Sequence, residues 1–249
     1  MKRRSFLAGG AAATAGLAGC LDFGVLGGSP GATDDVVLDE PEQYEERRRA
    51  RDEGYIGPIH ADELPEVTLP DALDDRDLST HEYVGERHVV LTFVFTRCPT
   101  HCIFLTSNLA GAQAESLEAG YADEVAFMPV TFDPEYDTPD VIEEYSQAQG
   151  ADPTAGNWHF LRPEDNRHAR DVVTGEFDIW YERNEDVDGE DIDHDHDGGA
   201  HDEDEMLFNH ESVIIIANAD GYVERGYTGT RIPNVAGVID DLGTLRERW

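Results

Sequence analysis

Positive charge is scarce in this sequence: 18 Lys and Arg stand against 54 Asp and Glu, a formal net charge of −36 at pH 7 and a pI near 4.3. A field of that sign repels phosphate backbones and anionic head groups, so nucleic acid is excluded as a partner class. The acidity runs along the whole chain. It suits a halophile's protein, kept soluble in strong salt where the Debye length shrinks to about 3 Å at 1 M, and it says little about specific chemistry. Long apolar runs are also missing: Ala8 to Gly19 is the nearest approach, and it is too short to span a bilayer as a stable helix. Cysteine is the third scarcity, with three in 249 residues.

The first twenty residues have the layout of a targeting segment. Lys2, Arg3 and Arg4 are followed by Ser5-Phe6-Leu7 in a twin-arginine pattern, and the small-residue run ends Leu17-Ala18-Gly19-Cys20, which resembles a lipobox. The expectation is export by the twin-arginine route, removal of the leader, lipidation of Cys20, and anchoring on the outer face of the cytoplasmic membrane. That leaves Cys98 and Cys102 as the cysteine pair of the mature protein. Outside the cytoplasm such a pair is a disulfide, a redox couple or a metal site. Two thiols four residues apart cannot close a long loop, so a purely stabilising bridge is a weak reading.

Residues 21–54 read as an acidic tether without a core, carrying one short solvated helix around Arg47-Arg48-Arg49. The folded domain is expected over 55–249. Val67-Thr68-Leu69 and the region of Leu78 predict short strands split by Asp74-Asp75-Arg76-Asp77. Val89 to Thr96 is a nearly unbroken apolar run, as a strand buried on both faces requires. It leads through Arg97-Cys98-Pro99-Thr100-His101-Cys102 into helical spacing at Leu105, Leu109 and Ala112, closed by Leu117.

Val125 to Phe132 predicts a second buried strand, with a helix from Thr138-Pro139 to Gln149; Pro139 suits a first helical position. Trp158 to Leu161 reads as a short strand and the stretch after Pro163 toward Thr174 as a helix. An acidic insert over 185–205 has no apolar periodicity. Ser212 to Ala217 is a further strand, Asn218-Ala219-Asp220-Gly221 a hairpin turn toward Tyr222-Val223 and Tyr227, and Val235, Val238, Ile239, Leu242 and Leu245 share a helical face. The class is α/β: a central mixed sheet flanked by helices, in the order of a thioredoxin-like fold.

Cysteines at the junction of a buried strand and a helix are reactive by placement, because the free amides and dipole of the helix start favour thiolate. Four-residue spacing on a helix puts both on one face, one turn apart, so that two sulfurs converge on one ion or on each other. Thioredoxins space the pair by two residues, so this spacing departs from that redox motif.

Three ordered segments then acquire meaning together: Phe93-Val94-Phe95-Thr96-Arg97-Cys98-Pro99-Thr100-His101-Cys102, Thr131-Phe132-Asp133-Pro134-Glu135-Tyr136-Asp137-Thr138-Pro139, and Asn209-His210-Glu211-Ser212. Over roughly Leu64 to Trp249 the chain resembles the Sco/SenC family of copper-delivery proteins, whose motifs are C-P-x-x-C, D-P-x-x-D-T-P and a histidine before a hairpin. The resemblance implies that Cys98, Cys102 and His210 bind one copper ion as Cu(I) or Cu(II). It further implies a metallochaperone, not an enzyme in the turnover sense, that assists the copper-site subunit of a terminal cytochrome c oxidase; a monomer is expected.

By the same resemblance Asp133 bears on copper handling, as a partner of the ligands or as a cap of the following turn. Tyr136 departs from the basic residue common in the second motif, and Ile103 from the proline common after the second cysteine. His101 lies outside the family's usual ligand set and is expected at the surface, with contact to the metal as the alternative.

Asp193-His194-Asp195-His196-Asp197, with His201 nearby, alternates imidazole and carboxylate. It is an auxiliary metal tract or a solvated acidic loop. The rival to copper delivery is a thiol-disulfide oxidoreductase that reduces the cysteines of the oxidase subunit, using Cys98 and Cys102 as the redox-active pair without His210. A peroxidase has no supporting motif.

Overall fold

The computed structural model describes residues 35–51, 54, 56–184 and 207–249, which belong to one packed unit. The leader, Cys20, and the insert with His194, His196 and His201 lie outside the described residues.

Two strands fix the centre. β3 (His88–Val94) and β4 (Val125–Thr131) are buried at every one of their seven positions and pair in parallel from His88↔Val125 to Val94↔Thr131. Runs such as Val89-Val90-Leu91 and Val125-Ala126-Phe127 have no polar face to give to water, so they are stable only inside a sheet covered on both sides. Each large side chain buried there contributes about 1.5–3 kcal/mol.

β7 (Val213–Ala217) lies antiparallel on the other edge of β3, and β8 (Val223–Thr228) pairs antiparallel with β7, giving the mixed order β4-β3-β7-β8. The Asn218 to Gly221 turn joins β7 to β8, with Gly221 at φ 88°, where a side chain would be strained.

Helices α2 (His101–Ala119), α3 (Pro139–Ala148) and α5 (Val235–Arg248) flank this sheet. α2 and α5 approach closely at Gly111, where an added Cβ would stand 2.6 Å from Val235 Cγ2. Pro139 opens α3 as the sequence predicts. The predicted strands near Val67 and Leu78 form the antiparallel pair β1 (Thr68–Asp71) and β2 (Arg76–Ser79). The predicted helix after Pro163 is α4 (Asn166–Arg170), continued as a π-helical turn over Asp171–Glu176. Trp158 and Leu161 make single bridges to β4, so this segment is strand-like.

The structure corrects the tether at one point. Helix α1 (Tyr44–Ala50) has no buried residue, as expected, but Leu38 is 6% exposed and sits in the core. The fully buried Glu224 carboxylate accepts the amides of Val37 and Leu38 and the side-chain amide of Asn218. A buried carboxylate so satisfied anchors the segment of Val37 and Leu38 to the domain, and packing therefore starts upstream of Tyr55.

The sequence reading also lacked a small hairpin, β5 (Tyr181–Arg183) with β6 (Phe208–His210), paired antiparallel. Three residues per strand are too few for alternation to register. This hairpin flanks the acidic insert and carries His210.

Candidate metal centre

The site forms where β3 runs out. After Val94 the chain turns through Phe95 to Thr100 and enters α2 at His101, so Cys98 precedes the helix and Cys102 is its second residue. The two cysteines therefore do not share a helical face, as the four-residue spacing had implied. They meet because the Cys102 amide donates to Cys98 Sγ at 3.4 Å. Thr100 offers α2 no side-chain cap, and the sulfur serves one of the amides that a helix start leaves without a partner.

His210 comes from the far end of the chain. Its pairing opposite Tyr181 across β5–β6 fixes its backbone, and its ring sits among Phe132, at 5.0 Å between centroids, and Phe95, at 6.0 Å. Its Nδ1 lies 3.1 Å from the Glu211 carbonyl, an acceptor only, so Nδ1–H donates there. That turns Nε2 toward the sulfurs, 3.7 Å from Cys102 Sγ. One donor atom from each of Cys98, Cys102 and His210 lies within 4.8 Å of the other two, and both cysteines are free thiols. Cys98 is 2% exposed and Cys102 0%, whereas His210 is half-buried.

Burial and mutual hydrogen bonding separate the two thiols. Cys98 is pulled down to about 4, chiefly by the hydrogen bond from Cys102, with His210 and the amides of Cys102 and Thr100 adding to it against the cost of burial. Cys102 is pushed up, first by burial and then by Cys98. The pair is one acidic sulfur beside one that holds its proton.

Asp133 is 1% exposed, and its carboxylate is bound by Arg97 Nη2 at 2.5 Å, next in sequence to Cys98. Its backbone carbonyl accepts the amides of Tyr136 and Asp137 and so closes the turn. The guanidinium of Arg97 stacks over Tyr136 at 3.9 Å, so the aromatic residue at the departing position has a partner of its own. His101 is exposed, as expected, and stands apart from the three-donor cluster.

Two residues that bear on the site escaped the sequence reading. Arg97 did so because a lone arginine in a loop gives no sign of burial. Asp137 is fully buried, and its carboxylate accepts the Thr96 amide at 3.2 Å and the hydroxyls of Thr96 and Thr131. It thereby ties the loop carrying Cys98 to the end of β4. Its place in the same motif as Asp133, four residues on, was the available signal.

The sequence pattern of the SCO1/SenC family matches residues 71–243. Among solved structures, the fold is similar to a SCO1/SenC family lipoprotein from Bacillus anthracis str. Ames, with a TM-score of 0.58 at 21% identity over 76% of this chain and 97% of that one. Yeast Sco1 with copper bound gives 0.55 at 16% identity over 76% of this chain and 91% of that one. Arabidopsis thaliana ScoI with copper bound gives 0.52 at 17% identity over 75% and 98%. No curated protein sequence matches the chain significantly. With a family pattern covering more than half of its length, this chain belongs to the SCO1/SenC family.

Proposed function

We propose that the protein is a copper metallochaperone that carries one copper ion on Cys98, Cys102 and His210. The observation that carries this reading is the convergence of two sulfurs and one imidazole nitrogen within 4.8 Å of one another. Two thiolates and an imidazole form a soft, three-coordinate set suited to Cu(I), with room for one further ligand on Cu(II). Copper also stands at the head of the divalent affinity order, so competing first-row ions are disfavoured at such donors. Copper-bound yeast Sco1 and Arabidopsis thaliana ScoI, which share the fold, support the choice of metal.

The recipient in this reading is the copper-site subunit of a terminal cytochrome c oxidase. The protein works as a monomer exported by the twin-arginine route and held by lipid at Cys20, with 1–20 as leader, a tether after it, and a copper domain whose packing takes in Leu38 upstream of Tyr55. Asp133 acts through Arg97 on the loop of Cys98. His194, His196 and His201 form an auxiliary collecting tract, and deleting 193–201 should lower copper stoichiometry; an unchanged value removes that role.

The inequality of the two thiols favours a second reading. A thiolate at Cys98 attacks a disulfide of the oxidase subunit, releasing one of its sulfurs; Cys102 then displaces the other. The target gains two electrons and Cys98–Cys102 becomes a disulfide. Sulfur exchange has no need of His210. The deciding experiment is His210→Ala assayed for oxidase maturation: copper delivery requires that maturation fail, and retained maturation rejects it in favour of thiol exchange.

A further inference from the structure

A cavity of about 520 Å³ opens beside the three-donor cluster, lined by α2, the end of β6 and the turn after β8. Of the three donors only His210 lines it; Cys98 and Cys102 lie behind. Among the described residues, the cavity wall holds one other imidazole, His101, together with Phe104 and Leu105 of the same helix. Glu211 also reaches the wall, but a carboxylate is a hard donor with little affinity for Cu(I), whereas imidazole binds it well. His101 is exposed, precedes Cys102 by one residue, and is not within the cluster. It therefore shares a cavity with His210 without belonging to the three-donor cluster.

We propose that His101 is the relay ligand through which copper enters and leaves the Cys98–Cys102–His210 site, an inference that rests on the copper-carrying function proposed above. In the exchange, the lone pair of an imidazole nitrogen of His101 forms a bond to Cu(I) as Nε2 of His210 gives up its own. Both sulfurs stay bound, the metal keeps its oxidation state, and no proton changes place. The ion then carries its imidazole ligand on the cavity side, from which a donor of the recipient replaces the sulfurs in turn. Such a ligand speeds passage in both directions and leaves the equilibrium position of the bound ion unchanged.

The test uses the full-length reduced protein loaded with one equivalent of Cu(I), with the chelator bathocuproine disulfonate as acceptor. Stopped-flow absorbance gives the transfer rate, and equilibrium competition with the same chelator gives the affinity. His101→Ala is expected to keep one bound copper and its affinity within about twofold, while transfer slows about tenfold. Phe104→Ala, which enlarges the same cavity without removing a donor, is expected to transfer at the wild-type rate or faster. An unchanged rate in His101→Ala overturns the relay, as does equal slowing in both variants. A fall in affinity matching the fall in rate also overturns it, because His101 would then be a resting ligand. A wild-type protein that takes up no copper overturns the underlying function and the relay with it.

Discussion

Arg97 and Asp133 form an ion pair whose side chains are 8% and 1% exposed, one residue from Cys98. Charges removed from water to this extent hold each other in place, and removing one partner strands the other. Asp133→Ala should therefore lower unfolding stability in urea by about 3–5 kcal/mol. The double variant Arg97→Met/Asp133→Leu, which removes both charges, should recover much of that loss. A single variant within 0.5 kcal/mol of wild type, roughly the scatter of surface substitutions, contradicts the pairing.

The Cys98 thiolate can be read directly. In the metal-free reduced protein, thiolate absorbance at 240 nm should rise with a midpoint near pH 4 for Cys98, while Cys102 stays protonated through neutrality. Cys102→Ala removes the strongest hydrogen bond to Cys98 and should move that midpoint upward. A first midpoint near the ordinary thiol value of 9.0 contradicts the arrangement.

Asp137 gives the fold a pH dependence of definite sign. Burial raises its carboxyl from 3.8 to about 6, against the hydroxyls of Thr131 and Thr96 that hold it down. A folded-state value above the unfolded one stabilises most below about pH 4, and the contribution is lost as pH rises through 6. Relative to Asp137→Asn, the wild type should thus lose roughly 3 kcal/mol of stability between pH 4 and pH 7, taking 1.36 kcal/mol per unit. Paired urea titrations across that range check it, and parallel curves contradict it.

His88 acts in the opposite direction. Burial lowers its ring from 6.5 to about 4, and its Nδ1 accepts the Ala219 amide at 3.1 Å, which requires that nitrogen to be unprotonated. The stability it contributes is complete above pH 6.5 and drains away as pH falls through 4. Imidazole NMR signals should show this ring neutral at pH 5, where an exposed histidine is charged. A midpoint at 6.5 contradicts the buried contact.

The sequence showed what is long or strongly patterned. β3 and β4 were legible because seven consecutive buried positions leave an apolar run that a loop would not tolerate. The cysteine pair and His210 were legible through ordered motifs, and the structure brings all three together. What escaped depends on contacts between distant residues. The β5–β6 hairpin is too short to show alternation, and Leu38 packs into the core with its amide held by Glu224, 186 positions away. Asp137 stood in the second motif without a reading of its own, because its burial comes from Thr96 and Thr131, whose groups its carboxylate accepts. The spacing of the cysteines likewise pointed to a shared helical face, when the helix begins between them.

Copper titration of the reduced protein, followed by X-ray absorption at the copper edge for wild type and His210→Ala, probes the three-donor centre most directly. Wild type should take up one Cu(I) with two sulfurs and one nitrogen in its shell, and His210→Ala should lose the nitrogen and bind more weakly. No copper uptake, or a shell identical in the two proteins, contradicts the centre assigned to Cys98, Cys102 and His210.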